Sequence, residues 1–157
     1  MRRVRLSESL LQGMKSHARE SYPDECCGFL IGTAGESLRE LDRTIVESRR
    51  AQNDHPGEKR RRFLISPEEL RDLERSIEGT SRAVVGFYHS HPDHPARPSQ
   101  FDQDHAWPWY SYLILATTSD DVPAIGAFEL DPESSVFHEV PLVSADAPAP
   151  SPAMGRR

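Results

Sequence analysis

The run from Ala83 to His105, AVVGFYHSHPDHPARPSQFDQDH, constrains this chain more than any other stretch. Ala83 to Tyr88 is apolar throughout, which predicts a strand buried on both faces. It ends in His89-Ser90-His91-Pro92, and a proline-rich loop then leads to Ser99-Gln100-Phe101-Asp102. Side chains two apart on a strand share a face, so His89 and His91 converge while Ser90 points away. Ser99, with an acid three residues later, reads as the capped start of a short helix that ends near Trp107-Pro108. Prolines 92, 95 and 98 lower the entropy lost when the loop folds that first turn back over the histidines.

Two imidazoles and one carboxylate suit zinc, and catalytic zinc sites use three protein ligands plus a water. Each half of the pattern has a plainer explanation when taken singly. A histidine pair can be solvated surface, and Ser-x-x-Asp is an ordinary cap. Together, after an apolar strand, they point to one centre with His89, His91 and Asp102 as ligands. His94 and His105 are left as surface or outer residues around it.

The rest of the chain supplies a frame. Val4 to Leu6 reads as a short strand, and Ser7 caps a helix with Leu10, Leu11, Met14 and Ala18 at helical spacing, stopped by Pro23. Cys27 to Ile31 is a buried strand and Gly32 to Gly35 a turn. Residues 37–48 read as a strand around Thr44, Ile45 and Val46, and Arg49 to Arg60 as a polar loop. Arg62 to Ile65 reads as a strand. Ser66-Pro67-Glu68-Glu69 starts a helix with Leu70, Leu73 and Ile77 on one face and Gly79 at its end. Ser111 to Ala116, Ala124 to Leu130 and Val136 to Val143 are further strands. One domain, residues 1–143, is followed by a Pro/Ala-rich tail, residues 144–157, expected to be disordered. Six or seven strands with two longer helices and one short helix make an α+β (α/β sandwich) domain.

Composition narrows the function. A net charge of -6 argues against a general nucleic-acid binder, since neutralising phosphates needs a basic surface. No apolar run reaches about 18 residues, so no membrane span is expected, and MRRVRLSESLLQG has no apolar core of a secretory signal. The two cysteines, Cys26 and Cys27, are adjacent and do not suit a mutual bridge. A reduced, cytoplasmic protein follows.

The motif resembles that of the JAMM (MPN+) metalloproteases: His89-Ser90-His91-Pro92, then Ser99-x-x-Asp102, with Glu25-Cys26-Cys27-Gly28 matching the family's glutamate ahead of a Cys-Gly at a strand start. The order of elements also fits, from about Leu6 to Val143, and the chain resembles the compact stand-alone prokaryotic members. The resemblance implies a mixed, curved sheet flanked by helices, as in cytidine-deaminase-like proteins. It implies zinc on His89, His91 and Asp102, Glu25 as general acid/base, and Ser99 as a hydrogen-bond donor to the tetrahedral intermediate. Neither cysteine is a ligand on this reading. The reaction implied is hydrolysis of a peptide or isopeptide bond at the C-terminus of a ubiquitin-like or sulfur-carrier protein ending in Gly-Gly. An extended tail would lie beside the metal, paired with a sheet edge.

Three competing readings share the sequence. One is a small-molecule amide hydrolase, with the same centre and no long groove. Another is a non-catalytic scaffold that binds zinc for stability, which a closed four-ligand site would favour over an open one. A role tied to DNA is opposed by the acidic balance. The Arg60-Arg61-Arg62 cluster and Arg97 either meet acidic groups of a partner or form a solvated patch. Trp107, Trp109 and Tyr110 shape the groove or pack at its rim.

Overall fold

The computed structural model describes residues 2–33 and 42–146. Its spine is a six-stranded mixed sheet in the order β4-β2-β5-β6-β7-β8. These strands are β2 (Cys27–Thr33), β4 (Glu47–Ala51), β5 (Arg82–Pro92), β6 (Ser111–Thr117), β7 (Ala124–Leu130) and β8 (Phe137–Val140). β5 runs antiparallel to β2 and parallel to β6; the other pairs are antiparallel. β2 and β6 are buried along nearly their whole length, which is why both read as unbroken apolar runs. A second sheet, all parallel, orders β3 (Asp42–Thr44), β1 (Arg3–Leu6) and β9 (Leu142–Ser144) with β1 in the middle.

The helices cover both faces of the large sheet. α1 (Glu8–Ser21) is capped by Ser7, whose hydroxyl accepts from Leu10 N. It packs Met14 and Ala18 with Leu30, Val85, Tyr88 and Leu113. α2 (Pro67–Ile77) starts at Ser66, with Pro67 in its first turn. It packs Leu73 and Ile77 against Cys27, Phe29 and Ile31 on the opposite face. The alternation of Phe29 and Leu30 between these two clusters is the period-2 geometry of β2 expressed as packing. Both cysteines are free and buried. No helix among the described residues is long and apolar enough to cross a membrane.

Several elements differ from the sequence reading. Of the strand expected at residues 37–48, positions 37–41 fall outside the described residues. The remainder is two strands in two sheets. Ile45 N donates to Arg5 O and Val46 N to Ile31 O, so the chain crosses between sheets at that dipeptide. Gly32 and Thr33 continue β2 rather than opening a turn, and Arg49 to Ala51 belong to β4, whose polar residues suit an edge position. Residues 62–65 are not a strand. They are held by Asn53, whose side-chain oxygen accepts from Leu64 N, and by Asp54 N donating to Leu64 O. Val136 to Val143 breaks at Pro141 into β8 and β9, one in each sheet. Ser144 pairs with Leu6 in β9, Ala145 N bonds to Leu6 O, and the Asp146 carboxylate accepts from Glu8 N. These three residues belong to the frame rather than the tail; residues 147–157 lie outside the described residues.

Two consequences are measurable. A Cβ at Gly86 would collide with the carbonyl oxygen of Ser111 on β6, so Gly86→Ala is expected to destabilise the fold by about 3 kcal/mol, read from urea melts. His17 is buried against Tyr88, with Nδ1 2.7 Å from the phenol oxygen. Burial, reinforced by Arg50, lowers its pKa from 6.5 to about 4. A lowered folded-state pKa means that the unfolded chain binds more protons between these values. Stability from this group is therefore complete above pH 6.5 and falls towards pH 4, by on the order of 3 kcal/mol. Replacing His17 with Gln should flatten that part of the pH–stability curve.

Candidate active site and metal centre

β5 carries the centre. Its register sets His89 opposite Cys27 on β2 and opposite Ile114 on β6. The strand therefore stays anchored on both sides up to the point where His91 emerges, itself opposite Ala116 of β6. Asp93, at φ 58°, turns the chain out of β5. Its carboxylate accepts from the Tyr22 hydroxyl at 2.7 Å, and its N–H donates to Thr117 O. The loop returns at Ser99, which caps α3 (Gln100–His105) in a full capping box: Asp102 N donates to Ser99 Oγ and Ser99 N donates to Asp102 Oδ2.

The same carboxylate closes on the histidines. Asp102 Oδ2 lies 2.9 Å from His91 Nε2 and Asp102 Oδ1 lies 3.2 Å from His89 Nε2. The two Nε2 atoms are 3.2 Å apart. His91 Nδ1 is 2.9 Å from Pro95 O, which can only accept. That places a proton on Nδ1, so in the neutral imidazole the lone pair of Nε2 faces a carboxylate oxygen and a second imidazole. Lone pairs so arranged can receive a cation among them. Burial keeps His89 neutral, with its pKa below the usual value despite Asp102 beside it. Burial alone would raise the Asp102 carboxyl, but the two histidines and the Ser99 N–H outweigh it and hold the group below the ordinary carboxylate range.

These three side chains can each present one donor atom within 4.8 Å of the others. Two neutral imidazole nitrogens and one ionised carboxylate form a donor set that zinc accepts, with a fourth position left for water. The residues present fit the metal. All three are at most 8% exposed.

Glu25 reaches the same place from the segment that leads into β2. Just ahead of β2, Cys26 N donates to Ser90 Oγ at 2.8 Å and Ser90 N to Cys26 O at 3.1 Å. The serine that points away from the histidines thus ties the Glu25 segment to the histidine-bearing strand. Glu25 N donates to Lys59 O, and its carbonyl accepts from Asn53 Nδ2. The Glu25 side chain is 4% exposed, and its Oε1 is buried without a hydrogen-bond partner. Burial, then the charge of Asp102, raises its pKa to about 9. A cation at the neighbouring donors acts in the opposite sense.

Two cavities flank the centre and share no lining residue. One, of about 520 Å³, is polar: Glu25, His91 and Ser99 face it together with Arg61, His94 and Arg97. The other, of about 630 Å³, is apolar, with Phe63, Phe87, Phe101, Trp107 and Phe137 around His89 and Asp102. Phe63 stacks on His89 with ring centroids 4.5 Å apart.

The structure groups His89, His91 and Asp102, and places Glu25 and Ser99 on the cavity that His91 also lines. His94 lines the polar cavity, whereas His105 stacks on Phe101 and faces the apolar one. The Arg60-Arg61-Arg62 cluster divides: Arg61 faces the polar cavity, and the Arg62 guanidinium lies 5.0 Å from the Phe101 ring centre. Of the aromatics, Trp107 lines the groove, Tyr110 packs on Phe87, and Trp109 lies under Arg43. Sequence reasoning missed Asn53. Its amide binds Glu25 O, Arg62 O, His55 N and Leu64 N, and so shapes the loop that carries Arg61 and Phe63. The only signal was an Asn-Asp-His-Pro-Gly run that reads as a turn.

Three buried donors that could hold a metal ion thus lie beside a carboxyl whose Oε1 has no hydrogen-bond partner among the described residues. The prokaryotic homologues of the JAB domain match residues 7–130. The Desampylase of Haloferax volcanii is 36% identical over 119 residues, which is 73% of this chain and 81% of the relative. The CysO-cysteine peptidase of Mycobacterium tuberculosis is 31% identical over 111 residues, 71% of this chain and 70% of the relative. A solution structure from Salinibacter ruber superposes with a TM-score of 0.68 at 32% identity, covering 94% of this chain and 95% of the other. A JAB1/MPN domain protein from Archaeoglobus fulgidus, at 20% identity, shares the fold with a TM-score of 0.51 over 88% of this chain and 98% of its own. The chain belongs to the prokaryotic JAB (JAMM/MPN) family.

The donor set makes a direct prediction. Wild-type protein should hold one zinc per chain, and His89→Ala or Asp102→Asn should weaken zinc binding by about 100-fold or more. Metal analysis after gel filtration, with circular dichroism to check the fold, would read this. Full zinc retention in His89→Ala would remove His89 from the ligand set.

Proposed function

We propose that this chain is a zinc-dependent peptidase and isopeptidase, hydrolysing the amide bond at the C-terminus of a ubiquitin-like or sulfur-carrier protein that ends in Gly-Gly. The observation that carries this reading is Glu25. It is a buried carboxyl with an unpartnered oxygen, facing the same cavity as His91 and Ser99 while staying outside the three-donor group. The names of the relatives, Desampylase and CysO-cysteine peptidase, support the substrate class.

In this reading His89, His91 and Asp102 hold the zinc, which supplies Lewis acidity to the carbonyl and a water that ionises near neutral pH. Glu25 takes the proton of the attacking water and returns it to the leaving amine. Its partner-free oxygen is what that duty requires, because a carboxyl committed to a structural bond could not exchange protons with substrate. Ser99 serves the oxyanion. Its Oγ already accepts from Asp102 N, so its own hydroxyl proton is left to donate into the cavity it lines. The apolar groove beside His89 takes the acyl side, and Phe63 stacked on His89 limits water on that flank.

The test is incubation with carrier proteins extended beyond Gly-Gly, with products followed by mass spectrometry with and without chelator. Glu25→Gln should retain one zinc per chain and the fold, and lose about 1,000-fold in kcat. Cleavage by Glu25→Gln at the wild-type rate would remove Glu25 from the mechanism.

A further inference from the structure

We infer that Arg61 and Arg97 form a carboxylate-reading pair in the leaving-group pocket, so that the favoured substrate is a carrier C-terminus extended by an amino acid or short peptide with a free α-carboxylate. This rests on the hydrolase reading above and adds the leaving-group specificity to it.

The orientation of the substrate follows from proton transfer. Hydrolysis forms a bond between the water oxygen and the acyl carbon and breaks the C–N bond. The proton removed from water must reach the departing nitrogen. Glu25 carries that proton and lines only the polar cavity. The amine therefore departs into the polar cavity, and the acyl part occupies the apolar one.

That polar cavity is built from two loops that each bring a guanidinium. The segment pinned by Asn53 contributes Arg61, and the loop between β5 and α3 contributes Arg97, beside His94. Neither guanidinium has a hydrogen-bond or ion-pair partner among the described residues. Two free planar cations in one pocket match a carboxylate, which accepts paired N–H donors. An amino-acid or dipeptide leaving group carries its carboxylate within one or two residues of the departing nitrogen, and so takes it into this pocket. In a lysine leaving group the departing nitrogen ends an aliphatic stem and becomes a cation on protonation. No anion then meets Arg61 and Arg97, and the like charges repel.

The test uses the zinc-loaded full chain and a carrier ending in Gly-Gly-Ala-Ala, prepared as the free acid and as the C-terminal amide. Wild type should show a KM about 10-fold lower for the acid. The Arg61→Gln/Arg97→Gln double variant should bring the acid-to-amide ratio to about one, and Arg97→Lys should keep part of it. A wild-type ratio near one, or an unchanged ratio in the double variant, overturns the proposal and leaves the hydrolase reading intact. A second readout needs no turnover. The Ala-Ala dipeptide, titrated into isotope-labelled protein, should shift the side-chain Nε–H resonances of Arg61 and Arg97, while Ala-Ala amide should not. Absence of those shifts overturns the pair whatever the kinetics. Shifts without hydrolysis of either carrier overturn the hydrolase reading and leave the carboxylate site standing.

Discussion

The structure depends on an arrangement that is unfavourable unless a cation completes it. Two imidazole nitrogens and a carboxylate are brought within about hydrogen-bond distance of one another, out of water. The Pro95 carbonyl takes the proton on the outer nitrogen of His91, so in the neutral ring the inner nitrogen offers a lone pair. Burying such a group costs free energy that the rest of the fold must offset. Asp102 shows how that is done. One of its oxygens also accepts from the Ser99 N–H, so the helix cap that orders the loop is the bond that aims the carboxylate. Loop order and site geometry are therefore one interaction, and neither can be lost alone.

The wider architecture serves to hold separate pieces of chain against that centre. β5 provides a straight support because β2 and β6 grip it on both sides up to His89. Ser90 uses its hydroxyl to fasten the residue after Glu25. Asn53 spends every polar atom of its amide on the segment that wraps Glu25. The result is a site with two unlike flanks, one aromatic and one cationic, on either side of the three-donor group. The polarity difference gives a bound chain a direction before any specific contact is considered.

The part of this that was legible in the sequence is the part encoded in short spacings. His89 and His91 two apart on a strand, and Ser99 and Asp102 three apart at a helix start, follow from backbone geometry alone. The helices α1 and α2 announced themselves by capping serines and periodic apolar residues. Glu25 was different: nothing local marks it as more than a strand-end acid, and only the resemblance of its Cys-Cys-Gly context singled it out. Asn53 was invisible because its partners lie up to 28 residues away. The strand divisions at Ile45-Val46 and Pro141 were missed for a related reason. β-propensity reports that a segment is extended, and says nothing about which sheet it joins. Residues 62–65 looked like a strand because three of the four are apolar; those three, Phe63, Leu64 and Ile65, line the groove.

The small parallel sheet has a kinetic side. β1 lies between β3 and β9, so the strand nearest the N-terminus is hydrogen-bonded on one edge by residues 142–144. Among the described strands β1 is synthesised first, yet that edge stays open until residue 144 has cleared the ribosome. Asp146, which accepts from the first backbone N–H of α1, comes later still. Such non-local closure slows folding and exposes an unpaired strand meanwhile. Here the exposure falls on a four-residue strand with two arginines, Arg3 and Arg5, a length and charge that discourage pairing with another chain while it waits.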